Sequence, residues 1–467
     1  MKYVPSLDKN FKPLIIELNE FKKAVNNSPN KSKLVICLER NDKYNYIYNI
    51  DIYKDNTGFD EINYRIVERI IKTLLWLVGG YKVYIFGSKY LFESIAKDYS
   101  KNGKREFDAQ FMSNVYENKF EIVEVEEKLI PKLKEEAIIL NNDFSGSRIG
   151  FDAGGSDRKV SALVDGKVLY SEEVVWYPKV TEDPSYHYRE IKTAFETAKS
   201  YLPLGKIDAI GISSAGIYVN NKVMVASLFL KVPKDLFDIH VKNIYINIAK
   251  EVAPNAPILV ANDGDVTALA GAMDLNDNQV LGIAMGTSEA AGYVDNKGNF
   301  KGWLNELAFV PVDANVNAMI DEWSGDIGCG VKYFSQDGVI KLAEYGGFEF
   351  NCELSPAQKL KIIQKLHNEG LETDEGYILA EKIFTSIGIY LGYTIAYYAH
   401  FYDIKHILLL GRVVSGRGGD LILEYAKKVI KDEFSELSHI NITLPDEQNR
   451  RVGQSVAAAS LPSLNKK

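Results

Sequence analysis

Cysteine is scarce in this chain, which has only Cys37, Cys329 and Cys352 among its 467 residues. An odd, widely spaced set of thiols does not make a disulfide framework, and no Cys-x-x-Cys pair is present to begin a structural zinc site. A reducing compartment explains such a set most simply, so we expect a cytoplasmic protein.

Excess positive charge is also missing. The sequence has 55 Lys and Arg against 63 Asp and Glu, which gives a net charge of −8. This balance lacks the electrostatic signature of a nucleic-acid-binding protein, so we expect no nucleic-acid partner. The first residues hold no continuous apolar segment ahead of the first acidic side chains, and no signal peptide is expected.

A long apolar run occurs at residues 383–402, which contain no Asp, Glu, Lys or Arg and are long enough to span a membrane. The same residues include five tyrosines, two threonines, a serine and a histidine, with Gly388 and Gly392 four residues apart. This composition favours a buried helix of a large soluble core, which another element can approach closely at the glycines, over a membrane segment. No membrane partner is expected.

The rest of the composition, with 46% hydrophobic and 25% charged residues, is typical of a soluble globular protein. The length suggests roughly three domains. Residues 1–140 have the pattern of a separate α/β unit, and the polar, turn-rich residues 141–147 mark its boundary. In residues 148–467 a β-meander followed by α/β elements occurs twice, which predicts two similar halves facing a cleft.

The first motif with chemical potential covers residues 152–159. Asp152 ends a predicted strand, and Gly154 and Gly155 allow a tight turn whose exposed N–H groups can bind an anion. Ser156 adds a hydroxyl and Lys159 a charge, while Asp152 is suited to hold Mg²⁺ through water. From these residues alone, a phosphate loop and an ordinary β-hairpin turn are equal alternatives.

The second motif is Asn262-Asp263, which stands between a predicted strand and a predicted helix. A carboxylate at the end of a strand is well placed to accept a proton from a substrate hydroxyl, and Asn262 would orient that substrate. The alternative is that Asp263 or Asp265 only caps the helix.

Two more glycine turns follow predicted strands. Gly286, Thr287 and Ser288 would clamp a polyphosphate from the second half of the chain. Residues 411–419 (GRVVSGRGG) make a strand–glycine–helix junction, which is typical of elements that face nucleotides. The alternatives are an ordinary turn and a loop made for flexibility.

Taken in order, these motifs resemble those of the ROK family of sugar kinases and sugar-responsive regulators. The resemblance covers residues 148–467, approximately. The family's phosphate elements, connecting turn, Asn-Asp pair, GxxGE sugar element and adenosine element each have a counterpart. The first phosphate element, DxGGTxxK, corresponds to Asp152, Gly154, Gly155, Ser156 and Lys159, and the second to Gly286 and Thr287. The connecting turn corresponds to Gly216 after GISSA, and the Asn-Asp pair to Asn262 and Asp263. The sugar element corresponds to Gly302 and Glu306, and the adenosine element to Gly411 with Arg412.

The resemblance implies an α/β fold of the two-lobed actin-like/hexokinase (ribonuclease H-like) ATPase type, preceded here by an extra small α/β domain. It assigns residues 148–262 and 441–467 to the N-terminal lobe of a kinase and residues 263–440 to its C-terminal lobe. Residues 1–140 are then an accessory domain, for which an oligomerisation or docking module and a degenerate copy of the same superfold are alternatives.

The resemblance also implies a carbohydrate kinase that phosphorylates a hydroxyl of a hexose or hexose derivative with ATP. Asp263 would be the general base, Asn262, Glu306 and Gly216 would bind the sugar, and Asp152 would carry Mg²⁺ through water. The expected nucleotide- and phosphate-binding residues are Gly154, Gly155, Ser156, Lys159, Gly286, Thr287, Gly411 and Arg412. The partner is then a small-molecule sugar, and a homodimer is left open.

Three positions depart from the family's pattern. Phe309 stands where many members have a histidine, and only Cys329 remains of a cysteine-rich zinc site, so we expect no zinc and an altered sugar pocket. Glu289 puts a carboxylate beside the second phosphate turn, which is unfavourable unless it is paired. A non-catalytic sensor of sugars or nucleotides is therefore the alternative, although residues 1–140 lack the short basic recognition helix of a DNA-binding regulator.

Overall fold

The computed structural model describes residues 1–135, 137–140, 143–445 and 453–464. Asn141 and Asn142 of the predicted domain boundary lie outside the described residues, as does part of the predicted stretch 441–467.

Strands and helices occur throughout the described chain. The strands are β1 (Lys31–Glu39), β2 (Asn45–Tyr53), β3 (Lys82–Phe86), β4 (Glu121–Glu124), β5 (Ser147–Ala153), β6 (Asp157–Val164), β7 (Lys167–Val175), β8 (Ala209–Ser214), β9 (Ile217–Val219), β10 (Lys222–Val225), β11 (Ile258–Asn262), β12 (Val280–Met285), β13 (Glu289–Val294), β14 (His406–Leu410) and β15 (Asn441–Thr443). The α-helices are α1 (Leu14–Asn26), α2 (Asp60–Leu77), α3 (Lys89–Asp98), α4 (Glu106–Tyr116), α5 (Pro184–Ser200), α6 (Lys234–Leu236), α7 (Ile244–Val252), α8 (Asp263–Leu275), α9 (Gln336–Tyr345), α10 (Pro356–Glu369), α11 (Glu375–Tyr398), α12 (Arg417–Glu433) and α13 (Gln454–Ala459).

The chain divides into two compact units, which differ from the predicted domains. Residues 1–136 share a unit with most of the predicted C-terminal lobe, and residues 263–282 belong with the predicted N-terminal lobe. Unit 1 comprises Met1–Glu136, Ile283–Ala291 and Trp303–Pro445, and unit 2 comprises Ala137–Gly282, Gly292–Gly302 and Asp446–Lys467.

Unit 2 is built on a five-stranded sheet with the order β11-β8-β5-β6-β7. Strands β11, β8 and β5 are parallel, and β6 and β7 continue the sheet in antiparallel fashion. Every residue of β5 is buried, as expected for a central strand. Gly150 and Gly211 lie against the backbone of α13, where an added β-carbon would come within 1.7 Å of a carbonyl oxygen. Glycine at these two positions therefore lets the helix pack directly on the sheet.

Unit 1 contains two four-stranded sheets. The N-terminal residues form the sheet β2-β1-β3-β4, in which β1 is antiparallel to β2 and β3 while β3 and β4 are parallel. The second sheet has the order β13-β12-β14-β15, with β14 and β15 parallel. The chain passes from one unit to the other within β12 and again within β13.

Helix α11 contains the apolar run of the sequence. It is the one helix in the described chain that is long and apolar enough to cross a membrane, and 72% of its apolar window is buried inside the protein. Added β-carbons at Gly388 and Gly392 would lie 2.7 Å from Ile422 O and 2.5 Å from Val429 Cβ on α12. The two glycines thus admit α12 closely, which favours a core helix.

A buried charge cluster joins the N-terminal residues to the rest of unit 1. Asp326 forms ion pairs with Arg69 at 3.1 Å, Arg105 at 2.8 Å and Lys72 at 3.6 Å. Lys72 also forms an ion pair with Asp108 at 2.7 Å. All five side chains are at most 10% exposed. Such charges are stable in the interior only as a complete set. This explains why residues 1–136 do not form a separate unit.

Replacement of Asp326 by Asn should therefore destabilise the protein severely. The substitution keeps the side-chain shape but leaves Arg69, Arg105 and Lys72 with fewer counter-charges in the interior, and breaking a buried pair in this way costs about 3–5 kcal/mol. Urea unfolding measures the loss. The control is Lys128→Ala, which removes an exposed ion pair with Glu126 and should change the unfolding free energy little. Equal effects of the two substitutions would contradict the structural role of the cluster.

Candidate functional site

The parallel strands of unit 2 end at one edge of the sheet. The register pairs Ala153 of β5 with Ser214 of β8, and Ser214 in turn with Asn262 of β11. Because neighbouring strands lie about 4.8 Å apart, the residues beside these ends, Asp152 and Asp263, are brought to the same edge. The carboxyl ends of parallel strands are where open α/β sheets bind ligands.

Asp152 is buried, and its Oδ1 accepts a hydrogen bond of 2.7 Å from Ser213 Oγ. Burial raises the pKa of Asp152 to about 6, with a further upward contribution from the charge of Asp263, while the Ser213 hydrogen bond acts in the opposite direction. A cation bound at this carboxylate would relieve the cost of its burial.

Asn262 is the N-cap of α8. Its Oδ1 accepts from the Gly264 amide at 2.7 Å, and its Nδ2 donates to the carbonyl oxygen of Gly216 at 2.7 Å. Both polar atoms of the amide are therefore bonded to backbone. Gly216 itself has φ +133°, and an added β-carbon would lie 2.4 Å from Val225 O. The capping role considered for Asp263 or Asp265 thus belongs to the asparagine.

Asp263 is the first residue of α8 and is partly exposed. Its Oδ1 accepts from the Gly264 amide at 3.0 Å, and within the described chain its Oδ2 has no hydrogen-bond partner. Burial raises the pKa of Asp263, while the backbone amides of Gly264 and of Asp263 itself and the charge of Lys179 lower it. One oxygen of the predicted general base is thus held by its own helix and the other is available to a substrate.

The glycine turn at residues 154–156 joins β5 to β6. Lys159 does not project from this turn as a free cation, since it pairs with Asp157 at 3.5 Å and Glu173 at 3.7 Å. Ser156 Oγ donates to Asp157 Oδ2 at 2.9 Å. An added β-carbon at Gly155 would lie 2.6 Å from Nζ of Lys179, so glycine leaves a space that this ammonium occupies. Sequence reasoning missed Lys179 because no motif spacing connects it to the turn.

The second predicted phosphate turn lies in unit 1, between β12 and β13. The backbone amide of Gly286 donates to Ser288 O at 3.0 Å, and Gly286 O accepts from the backbone amide of Gln336 at 2.9 Å. Gly411 follows the neighbouring strand β14 with φ +91°, and an added β-carbon there would lie 2.5 Å from Met285 O. The structure therefore brings Gly411 beside the strand end that leads into the turn.

Other predicted residues of unit 1 have varied surroundings. Thr287 Oγ1 is the acceptor of a long contact, 3.5 Å, from Gln336 Nε2. Arg412 is exposed, and its carbonyl oxygen accepts from Gln364 Nε2 at 2.6 Å. The backbone amide of Glu306 donates to Trp76 O at 3.0 Å, which fixes this residue against the end of α2.

Glu289 begins β13 and is only 3% exposed. Neither carboxyl oxygen has a hydrogen-bond partner among the residues that the structure describes. Burial, together with the charge of Glu306, raises the pKa of Glu289 to about 8. The carboxylate that the sequence places beside the phosphate turn is therefore a neutral acid in mildly acidic solution.

The region of the family's zinc site is occupied by aromatic packing. The Phe309 ring lies 4.5 Å from the ring of Trp76 and 4.8 Å from that of Trp323. Cys329 is buried, and its thiol donates to Asp326 Oδ2 at 3.7 Å. No group of three or more His, Cys, Asp or Glu side chains suited to a metal ion occurs in the described part of the chain. The expectation of no zinc stays a prediction.

No protein-family model matches the sequence, and no curated protein matches it. Solved structures do. A ROK hexokinase from Thermus thermophilus is 15% identical, with a TM-score of 0.51, and the match covers 68% of this chain and 97% of that one. A ROK transcriptional regulator described as a homolog of the E. coli MLC protein is 17% identical, with a TM-score of 0.51 over 68% of this chain and 79% of that one.

The chain shares the fold of these two structures. The predicted α/β fold class of actin-like/hexokinase type is thereby confirmed. Both matches cover about the share of the chain that the motif resemblance covers. Because one of these structures is a hexokinase and the other a transcriptional regulator, the fold alone does not separate catalysis from sensing.

Glu289 generates a pH prediction. Its carboxyl keeps a proton in the folded protein up to about pH 8, whereas in the unfolded chain it ionises near its ordinary pKa of 4.5. Relative to a Glu289→Gln variant, the protein should therefore lose stability as pH rises between these values, by up to ~1.4 kcal/mol per pH unit. Urea unfolding of both proteins at a series of pH values measures this. The exposed residue Glu126, changed to Gln, is the control, and a stability difference for Glu289→Gln that is constant with pH would contradict the prediction.

Proposed function

We propose that this chain is a sugar kinase that transfers a phosphoryl group from ATP to a hydroxyl of a hexose or hexose derivative. The observation that carries the proposal is the carboxylate of Asp263, whose Oδ2 has no partner within the described chain and which stands at the sheet edge shared with Asp152. A carboxylate with a raised pKa and a free oxygen is suited to accept a proton from an alcohol.

Asn262 acts in this proposal by holding the base rather than by touching the sugar. Its amide bonds to Gly216 and Gly264 fix the point where β11 turns into α8, and with it the direction of Asp263. Phosphoryl transfer needs little covalent help from a protein, so such positioning supplies much of the rate. We also propose that Glu306, in unit 1, contacts the sugar.

The proposed reaction also requires ATP and Mg²⁺. The residues fit them in two respects: the absence of a side chain at Gly155 lets the Lys179 ammonium lie against the glycine turn, and the buried Asp152 carboxylate lacks a cationic partner within hydrogen-bond distance in the described residues. When bound, Mg²⁺ would neutralise phosphate charge, with Asp152 holding it through water. Gly286, Thr287, Gly411 and Arg412 are the proposed nucleotide contacts in unit 1.

A sugar-responsive sensor without turnover is the second candidate. It is favoured by Glu289, an acid two residues after Thr287 that has neither a hydrogen-bond nor an ion-pair partner in the described residues. When ionised, this side chain would repel a polyphosphate at the neighbouring turn. The similarity to a ROK transcriptional regulator is compatible with this alternative.

The decisive experiment follows ADP release from the purified protein with a panel of hexoses. Sugar-dependent release is expected, and Asp263→Asn should lower kcat by about 10²–10⁴-fold, which is the usual contribution of a general base. Asp235→Asn, at an exposed position of the same unit, is the matched control and should leave kcat unchanged. Sugar binding without ADP release from the wild-type protein would contradict the kinase and support the sensor.

A further inference from the structure

Lys179 lies in a short segment that is fastened to the glycine turn of unit 2. The backbone amide of Trp176 donates to Ser156 O at 3.1 Å, and the indole Nε1 donates to Gly154 O at 2.8 Å. The indole ring is buried. The 3₁₀ turn Pro178–Val180 comes two residues later. The two hydrogen bonds and the buried ring of Trp176 therefore hold the backbone of Lys179 beside the glycine turn.

The ammonium group of Lys179 lies over Gly155. A β-carbon added at Gly155 would lie 2.6 Å from both Cε and Nζ of this lysine. Lys179 is exposed and has neither an ion pair nor a hydrogen bond with any described residue. Its charge also acts on Asp263, because it lowers the pKa of that carboxyl group. The cation therefore lies beside the turn, and it is not committed to a partner.

Lys159, the cation that the motif singles out, is in the opposite situation. It stands between Asp157 and Glu173, with N–O distances of 3.5 and 3.7 Å. Two carboxylates already balance its charge, so an added phosphate would compete with both of them. An unpaired ammonium pays no such penalty when it meets an anion.

We propose that Lys179, and not Lys159, is the cation that contacts the phosphates of a nucleoside triphosphate at the Gly154–Ser156 turn. This inference rests on the proposed function for its catalytic meaning, since a charge at the turn after Asp152 would meet the phosphates of the bound nucleotide. Lysine suits this task as a compact point charge on a flexible stem. The backbone N–H groups of the turn supply the remaining donors.

Binding tests the inference without turnover. Calorimetric titration with inorganic tripolyphosphate and with a non-hydrolysable ATP analogue, both with Mg²⁺, is carried out on wild-type, Lys179→Met and Lys159→Met proteins. Loss of a charge-assisted hydrogen bond should weaken binding to Lys179→Met by at least ~10-fold, with a smaller effect for Lys159→Met. Lys179→Arg keeps the charge and should retain most of the affinity. Because the side chain is exposed, the substitutions should leave the unfolding curve unchanged.

The pH profile is a second readout. Since the Lys179 charge lowers the pKa of Asp263, Lys179→Met should move the acidic limb of kcat/KM to higher pH. A lysine with only a structural role would not move that limb. Lys167→Met, at an exposed position of the same unit, is the control and should leave the limb in place.

The outcomes separate this inference from the proposed function. If Lys179→Met alone loses tripolyphosphate binding but no sugar supports ADP release, the inference holds and the kinase proposal fails. If ADP release requires sugar and Asp263, yet Lys179→Met binds and titrates like the wild-type protein, the inference is wrong and the kinase proposal stands. Failure of the wild-type protein to bind either polyphosphate overturns both.

Discussion

The site of unit 2 depends on the parallel register of β5, β8 and β11. Hydrogen bonding across these strands aligns Ala153, Ser214 and Asn262, and this alignment brings a buried aspartate and a helix-initiating aspartate to one edge. Successive side chains point to opposite faces of a sheet, so a slip of one residue would turn Asp152 away from Ser213 and into the opposite layer. The apolar residues of β5 pin the register, because the same slip would turn Ile149 and Phe151 to the face where Gly150 admits α13.

A second constraint governs unit 1, where the buried charges around Asp326 tie α2 and α4 to the residues after Trp303. The same helix α2 provides Trp76, whose ring packs on Phe309. A phenylalanine at this position is therefore part of an aromatic interior formed with the N-terminal residues. The N-terminal residues and Phe309 thus pack in one interior, and the departure of Phe309 from the family's pattern has a packing reason.

Local patterns made part of this site predictable from sequence. A strand, two glycines and a second strand identify the turn after Asp152, and a strand followed by Asn-Asp identifies the start of α8, because both depend on residues close in sequence. The unit boundaries were not predictable in this way. Residues 141–147 have the composition of a linker, whereas the ion pairs of Arg69 and Arg105 with Asp326 join residues more than 200 positions apart, and no composition or periodicity records them. The ion pairs of Lys159 were not predictable for a similar reason, since its partner Glu173 lies on the next strand.

The charges at the sheet edge bear on what the site can hold. Two carboxylates, Asp152 and Asp263, stand at this edge, with Lys179 at the adjoining glycine turn, and burial raises the pKa of both acids. A bare polyphosphate would meet a net negative charge there, so one lysine does not suffice to bind it. A divalent cation changes this balance, because it neutralises phosphate and carboxylate charge together and lowers the pKa of the acid that holds it. In the proposed reaction, the acidity of the site therefore favours a metal–nucleotide complex over the free nucleotide as the ligand.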